Sequence, residues 1–254
     1  MTEVVTLCVF AFLAGLVDAV AGGGGLIQVP ALLAVFPSLP PSILLGTNKL
    51  SAITGTTIAT LRYGWSVPIH WRMILPAAML AGAGAVLGAK AVTLINPVAL
   101  RPLLLVLLVS MAVYTVARPK LGENLDPPPV ALGNASFLSL CAIFGFYDGF
   151  FGPGAGSVMM FALVRWFGYD FLRAAASTKV LNLASNFGAL VLFVATGNVL
   201  YAVALPMAAL NVAGGFLGAH FAVRRGSRFI RTVFLVVVMA LTVKVFVDML
   251  KTYW

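Results

Sequence analysis

The chain has 254 residues, is 61% hydrophobic and only 9% charged, and has a mean hydropathy of +1.06. Soluble domains carry roughly 25% charged residues, so this composition excludes a water-exposed globule and places the chain in a bilayer. The formal net charge of +9 does not point to nucleic acid, because the Lys and Arg residues form no stripe and sit in short segments between apolar runs.

Taken in order, the apolar runs predict five helical segments in a first membrane repeat, 1–117, at about 4–21, 24–36, 42–61, 73–94 and 98–117. A polar, proline-rich linker follows at 118–129. The second repeat, 130–254, has segments at about 130–150, 155–167, 172–195, 199–222 and 229–250. Ala19-Val20-Ala21 imitates a signal-cleavage site, but no basic region precedes the first run, and we read it as part of the mature protein.

The second repeat copies the first at a constant offset of 130 positions. Asp18 recurs as Asp148, Lys49 as Lys179, Pro76 as Pro206, Gly88 as Gly218 and Arg101 as Arg231. Two apolar copies of this kind read as a duplicated all-α polytopic membrane protein. In each repeat the second segment is too short for a full span of about 20 residues, and glycines or a proline break the chain just before it. The simplest geometry is a broken or re-entrant helical hairpin with its glycine tip near the midplane. The chain then returns to the side where it began, and three crossings follow. Each repeat therefore has odd parity, and the two repeats are expected to be inverted.

Loop charges give an independent reading of orientation. Arg62 and Arg72 flank one loop and Arg165 and Arg173 another, while the cognate loops near 195–200 and 37–41 carry no charge. Loop 223–231 holds Arg224, Arg225, Arg228 and Arg231. Under the positive-inside rule these loops and the linker are cytoplasmic, and both termini are periplasmic.

Four ionisable residues inside apolar segments form the cognate pairs Asp18/Asp148 and Lys49/Lys179. A charge near the bilayer centre costs at least ~2.5 kcal/mol, so such residues need a reason to be there. Each Asp either caps a helix or pairs with a Lys in a structural role, or it couples protons. For the lysines we favour anion binding. The glycine breaks add helix N-termini whose unpaired N–H groups and dipole favour anions. The expected substrate-binding set is Gly22, Gly23, Gly24, Gly25, Thr47, Asn48, Lys49, Gly152, Gly154, Gly156, Ser157, Ser177, Thr178, Lys179 and Asn182. No cofactor or metal is expected: Cys8 and Cys141 are not cognate, and His70 and His220 lie near segment ends. Gly84-x-x-x-Gly88 and its copy Gly214-x-x-x-Gly218 could mark a homodimer face, though such residues more often let helices of one chain pack closely.

The same residues carry a resemblance. G-L-V-D-A-V-A-G-G-G-G with G-T-N-K, and D-G-F-F-G-P-G-A-G with A-S-T-K, resemble the sulfite exporter TauE/SafE family, also called the toluene sulfonate uptake permease family. The resemblance covers essentially the whole chain. It implies a bacterial inner-membrane carrier for sulfite, sulfonates or similar anions; the leading reading of the chain is a secondary carrier that exports such anions or exchanges them with protons. Thr178 stands where the first repeat has Asn48, so the two half-sites differ. A passive anion channel and an integral membrane enzyme are the rival readings. The enzyme reading lacks a nucleophile–base set.

Overall fold

The computed structural model of the protein describes residues 2–95 and 133–253. The predicted segment 98–117 and the linker 118–129 lie outside the described residues. Within them the chain is all-helical: α1 (Thr2–Ala21), α2 (Gly25–Val35), α3 (Pro41–Gly64), α4 (Trp71–Leu94), α5 (Asn134–Phe150), α6 (Ala155–Phe167), α7 (Phe171–Ala195) and α8 (Tyr201–Tyr253). The two last predicted segments share the long α8, whose helical path breaks at Gly226 (φ 70°, ψ −166°). Among the described residues, four stretches are long and apolar enough to cross a membrane: Glu3–Ala21, Trp71–Leu94, Phe171–Ala195 and Tyr201–Ile230. α3 is as long as α4, at 24 residues, but it carries Thr47, Asn48, Lys49, Ser51 and Thr56 in its buried surface.

Local sequence sets the boundaries. Pro41 opens α3, where its missing N–H would be unpaired in any case. Asp170 caps α7, its carboxylate accepting from the N–H groups of Leu172 and Arg173 at 3.0 Å each. The chain between α1 and α2 turns through Gly22 (φ 69°) and Gly23 (φ 99°), and between α5 and α6 through Gly152 (φ 87°) and Gly154 (φ 77°). These left-handed conformations favour glycine, and here they fold each helix pair into a tight hairpin.

Both hairpins return to the end of the bundle where they start. Val35 and Phe36, leaving α2, pack in a cluster with Leu7 and Ala11 from the start of α1. Phe137, near the start of α5, meets Phe167 at the end of α6 with ring centroids 5.0 Å apart. The two ends differ in charge. At one, Ser42 donates to Asn198 at 3.0 Å and the Leu200 N–H donates to Thr47 Oγ1 at 3.0 Å, joining the two uncharged loops. At the other, Arg72 and Arg173 line one crevice, and Ser227 donates to Asp170 at 3.1 Å. The described basic loops therefore share one end. The α1–α2 hairpin enters from the uncharged end and the α5–α6 hairpin from the basic end.

Close backbone seams hold the helices in register. A Cβ on Gly84 or Gly88 of α4 would strike the carbonyl oxygens of Ala142 or Phe146 of α5. A Cβ on Gly214 or Gly218 of α8 would strike those of Phe12 or Leu16 of α1. Every one of these contacts maps onto its counterpart through the 130-position offset. The two Gly-x-x-x-Gly motifs thus pack within the chain, α4 on α5 and α8 on α1. Without water or a strong hydrophobic driving force between helices, such close approach is what holds spans together.

Gly145 of α5 lies with no room for a Cβ against Ala81 of α4, while Gly64 faces open space. Gly145→Val is expected to destabilise the protein by about 1–3 kcal/mol or more, the scale of overpacking. Gly64→Ala should be nearly silent. Thermal unfolding in detergent separates the two.

Candidate functional site

The charged residues inside the bundle meet across the two repeats. Lys49 of α3 lies 2.9 Å from Asp148 of α5, and Lys179 of α7 lies 2.7 Å from Asp18 of α1. Each repeat supplies the lysine for the other repeat's aspartate. The pairing satisfies the requirement that buried charges be compensated, since an unpaired ion in low dielectric is far more expensive than a pair. The two pairs are not equal. Lys49 also donates to Asn186 at 2.9 Å, and Asp148 accepts from the Ser185 hydroxyl. Among the described residues, Asp18 accepts a long bond from the Gly24 N–H, at 3.3 Å, besides the one from its lysine. Its side chain is 22% exposed against 6% for Asp148.

The hairpin tips touch one another beside these pairs. Ser157 at the start of α6 donates to the carbonyl oxygens of Ala21 and Gly22 at 3.0 and 2.8 Å. A Cβ on Gly22 would come within 2.5 Å of the Gly156 backbone. The first tip also turns its own backbone inward, the N–H groups of Leu26 and Ile27 closing on the carbonyls of Gly23 and Gly24 at 2.9 and 3.0 Å.

Between the tips and the ion pairs lies a cavity of about 30 Å³, room for roughly one or two waters. Of the expected site, Gly23, Gly24, Gly25, Asn48, Lys49, Gly152, Gly156 and Asn182 line it, together with Asp18 and Asp148. The other expected residues stand outside its lining. Thr47 spends its hydroxyl on Ile43 and on the α8 entrance, and Ser157 joins the tips. Lys179 lies behind Asp18, and Ser177 and Thr178 are buried near it in α7. Gly22 and Gly154 shape the turns.

Sequence reasoning missed four polar liners: Gln28, Thr56, Asn186 and Asn211. Gln28 donates to Ser51 at 2.7 Å and Asn211 to the Ala11 carbonyl at 2.9 Å, tying α2 to α3 and α8 to α1. A signal was present, because amides inside apolar spans are expensive unless they have partners. Thr56 and Asn186 are also cognate under the 130-position offset. Two liners, Asn48 and Asn182, keep a buried side-chain oxygen with no partner among the described residues. Such orphaned polar atoms beside a polar cavity mark a place where a ligand or water completes the bonding.

An all-helical polytopic bundle with broken hairpins meeting at a polar, charge-paired centre is the architecture of a membrane transporter. The chain belongs to the sulfite exporter TauE/SafE family, whose model matches residues 7–245. It is 38% identical to "Probable membrane transporter protein ORF9" of Sinorhizobium sp, over 95% of this chain and 92% of that one. It is 36% identical to a "Probable membrane transporter protein" of Haemophilus influenzae, over 93% of this chain and 92% of that relative. It is also 34% identical to "Probable membrane transporter protein YfcA" of Escherichia coli K12, over 94% and 87% of the two chains. No solved structure matches the chain.

The ion pairs change what a lysine substitution should do. Removing Lys49 strands the buried carboxylate of Asp148, and removing Lys179 strands the half-buried one of Asp18. Lys49→Met is expected to destabilise by about 3–5 kcal/mol, the scale for breaking a buried pair. Adding Asp148→Asn should recover part of that loss. Chemical unfolding of the single and double variants in detergent measures the coupling.

Proposed function

We propose that this protein is a secondary carrier of small sulfur-containing or organic anions, such as sulfite or sulfonates, in the bacterial inner membrane. The observation that carries this reading is the crossed pair of Lys–Asp bridges around a small polar cavity where two hairpin tips meet. Helix N-termini favour negative charge, and glycine lets a ligand approach the backbone closely. Lysine supplies a charged donor on the same wall. The name of the family, sulfite exporter, supports the same substrate class.

The reading includes two inverted repeats, with the site between them and alternating access around it. Its support is the opposite entry of the two hairpins and the reciprocity of the seams and ion pairs. The basic end then faces the cytoplasm and both termini face the periplasm, as the positive-inside rule requires. A cavity this small fits a closed state, so a sulfonate would enter only after helices part.

Three measurements test this. In a thermal-shift screen over sulfite, small sulfonates and carboxylates, at least one anion should stabilise the purified protein, while chloride at equal ionic strength should not. In proteoliposomes its flux should saturate and show counterflow; linear flux without counterflow would make the protein a channel. Lys49→Ala should weaken binding by about 1–3 kcal/mol, the scale of a hydrogen bond to a charged group, beyond its effect on stability. Separately, reporter fusions in the 118–129 linker should report a cytoplasmic location, and a periplasmic signal would overturn the orientation.

The glycine tips are a poorer probe than the sequence suggests. Valine at Gly24 would probe a ligand cradle only if the tip had room, and a Cβ there lies 2.6 Å from the Ala14 carbonyl oxygen. Gly154 has φ 77°, where any side chain is strained. Both variants are expected to lose abundance along with flux.

A further inference from the structure

We propose that Asp18 is the proton acceptor that admits the anion, so that one proton binds together with each monovalent anion. This rests on the anion-carrier reading above. The central charges cancel: Lys49 against Asp148, and Lys179 against Asp18. A bare anion entering this cavity inside the bundle would leave one uncompensated charge. The cavity wall makes matters worse, because Asp18 and Asp148 both line it whereas Lys49 is the one lysine among its lining residues. An anion therefore meets two carboxylates for one lysine on the wall unless one aspartate is neutralised. A proton from solvent, bound to an Asp18 carboxylate oxygen, turns that oxygen into a donor aimed at the anion. It also leaves the Lys179 charge free to balance the anion. Nothing else is consumed, and the proton leaves with the anion.

The geometry selects Asp18 over Asp148. Asp148 is fixed by Lys49 and the Ser185 hydroxyl, and Lys49 is itself tethered to Asn186. Protonating Asp148 would break up that closed network. Asp18 is more exposed, and apart from Lys179 its bonds among the described residues come to the long one from the Gly24 N–H. The groups around Asp18 are few. From α7 there is Lys179, and from α3 come Lys49 across the cavity and the Tyr63 phenol, committed to the Ala19 carbonyl at 2.9 Å. Gln28 of α2 and Asn211 of α8 are neutral, and Ser157 of α6 is bonded to the first tip. Lys179 is thus the single cation in contact with Asp18 among the described residues.

The test is proton counting by titration calorimetry of the purified protein in buffers of different ionisation enthalpy. Methanesulfonate is the first probe, because it carries no proton of its own near neutral pH, and sulfite is the second. The expected result is uptake of about one proton per anion, with affinity falling about tenfold per pH unit on the alkaline side. Asp18→Asn should bring the uptake to about zero and flatten the pH dependence, and Asp18→Glu should keep both. Replacing sodium by choline should change nothing. Anion binding without proton uptake, uptake that persists in Asp18→Asn, or a requirement for sodium would each overturn the proposal while leaving the carrier reading intact. If neither probe binds, the count is made with the anion that stabilises the protein in the thermal-shift screen; if none does, the carrier reading fails and the proposal with it. Should Asp18→Asn not fold, the counts for the wild type and Asp18→Glu still decide.

Discussion

Charge cannot be buried alone in a bilayer, and this molecule is arranged around that constraint. Asp18 and Asp148 lie on the first helix of each hairpin, close to its glycine turn. Lys49 and Lys179 lie about two turns into the third helix of each repeat. Within one repeat the two do not form the ion pair; the pair closes only across repeats. Neither half can satisfy its own charges, so the centre is complete only when both halves are assembled. The cost of an unpaired ion, several kcal/mol, exceeds what any one seam contact contributes, and it fixes how the halves meet.

The glycine turns serve the same end. A hairpin that stops inside the membrane exposes backbone polar groups where there is no bulk water, and this is tolerated only where protein or a polar cavity receives them. Ser157 receives two carbonyl oxygens of the first tip, and Asp18 receives the Gly24 N–H. The side chains that complete the tips are therefore the ones that line or border the cavity. Polar backbone, ion pairs and orphaned amide oxygens accumulate at one place, because each makes the others less expensive to keep there.

Much of this was legible in the chain. The constant offset exposes the duplication, and the short, glycine-broken second segments foretell hairpins that the structure shows as α1–α2 and α5–α6. Intramembrane Asp and Lys residues announce the centre by their cost alone. Three things were not legible. Periodicity cannot say which aspartate a lysine meets, since the pairing joins residues 99 positions apart in one case and 161 in the other. Nor does it say whether a hydroxyl faces a cavity or its own helix. Thr47 looked like a ligand donor and instead ties α3 to α8. Neutral amides such as Gln28 and Asn211 were passed over because they carry no charge, yet in this setting they need partners as much as the ions do.

The seams also limit how access can change. α1 is bound to α8 and α4 to α5 by backbone contacts that leave no room for a Cβ. Each of these units takes one helix from either repeat. A motion that swung one whole repeat against the other would have to tear both seams, and packed interfaces without slack do not deform continuously. The inner helices are held as tightly: Gly55 of α3 meets Gly215 of α8, and Gly188 of α7 meets Gly82 of α4, with no room for a Cβ. The tips meet through the Ser157 hydroxyl and the close approach of Gly22 to Gly156, and α3 and α7 carry the polar residues that face the cavity. The cavity is already unequal, lined by Lys49 and Asn48 but not by their cognates Lys179 and Thr178. Exchanging which half-site lines the cavity requires the α3 and α7 faces to trade places, and the Gly55–Gly215 and Gly82–Gly188 contacts, with the ion pairs across the repeats, are what such a trade must strain.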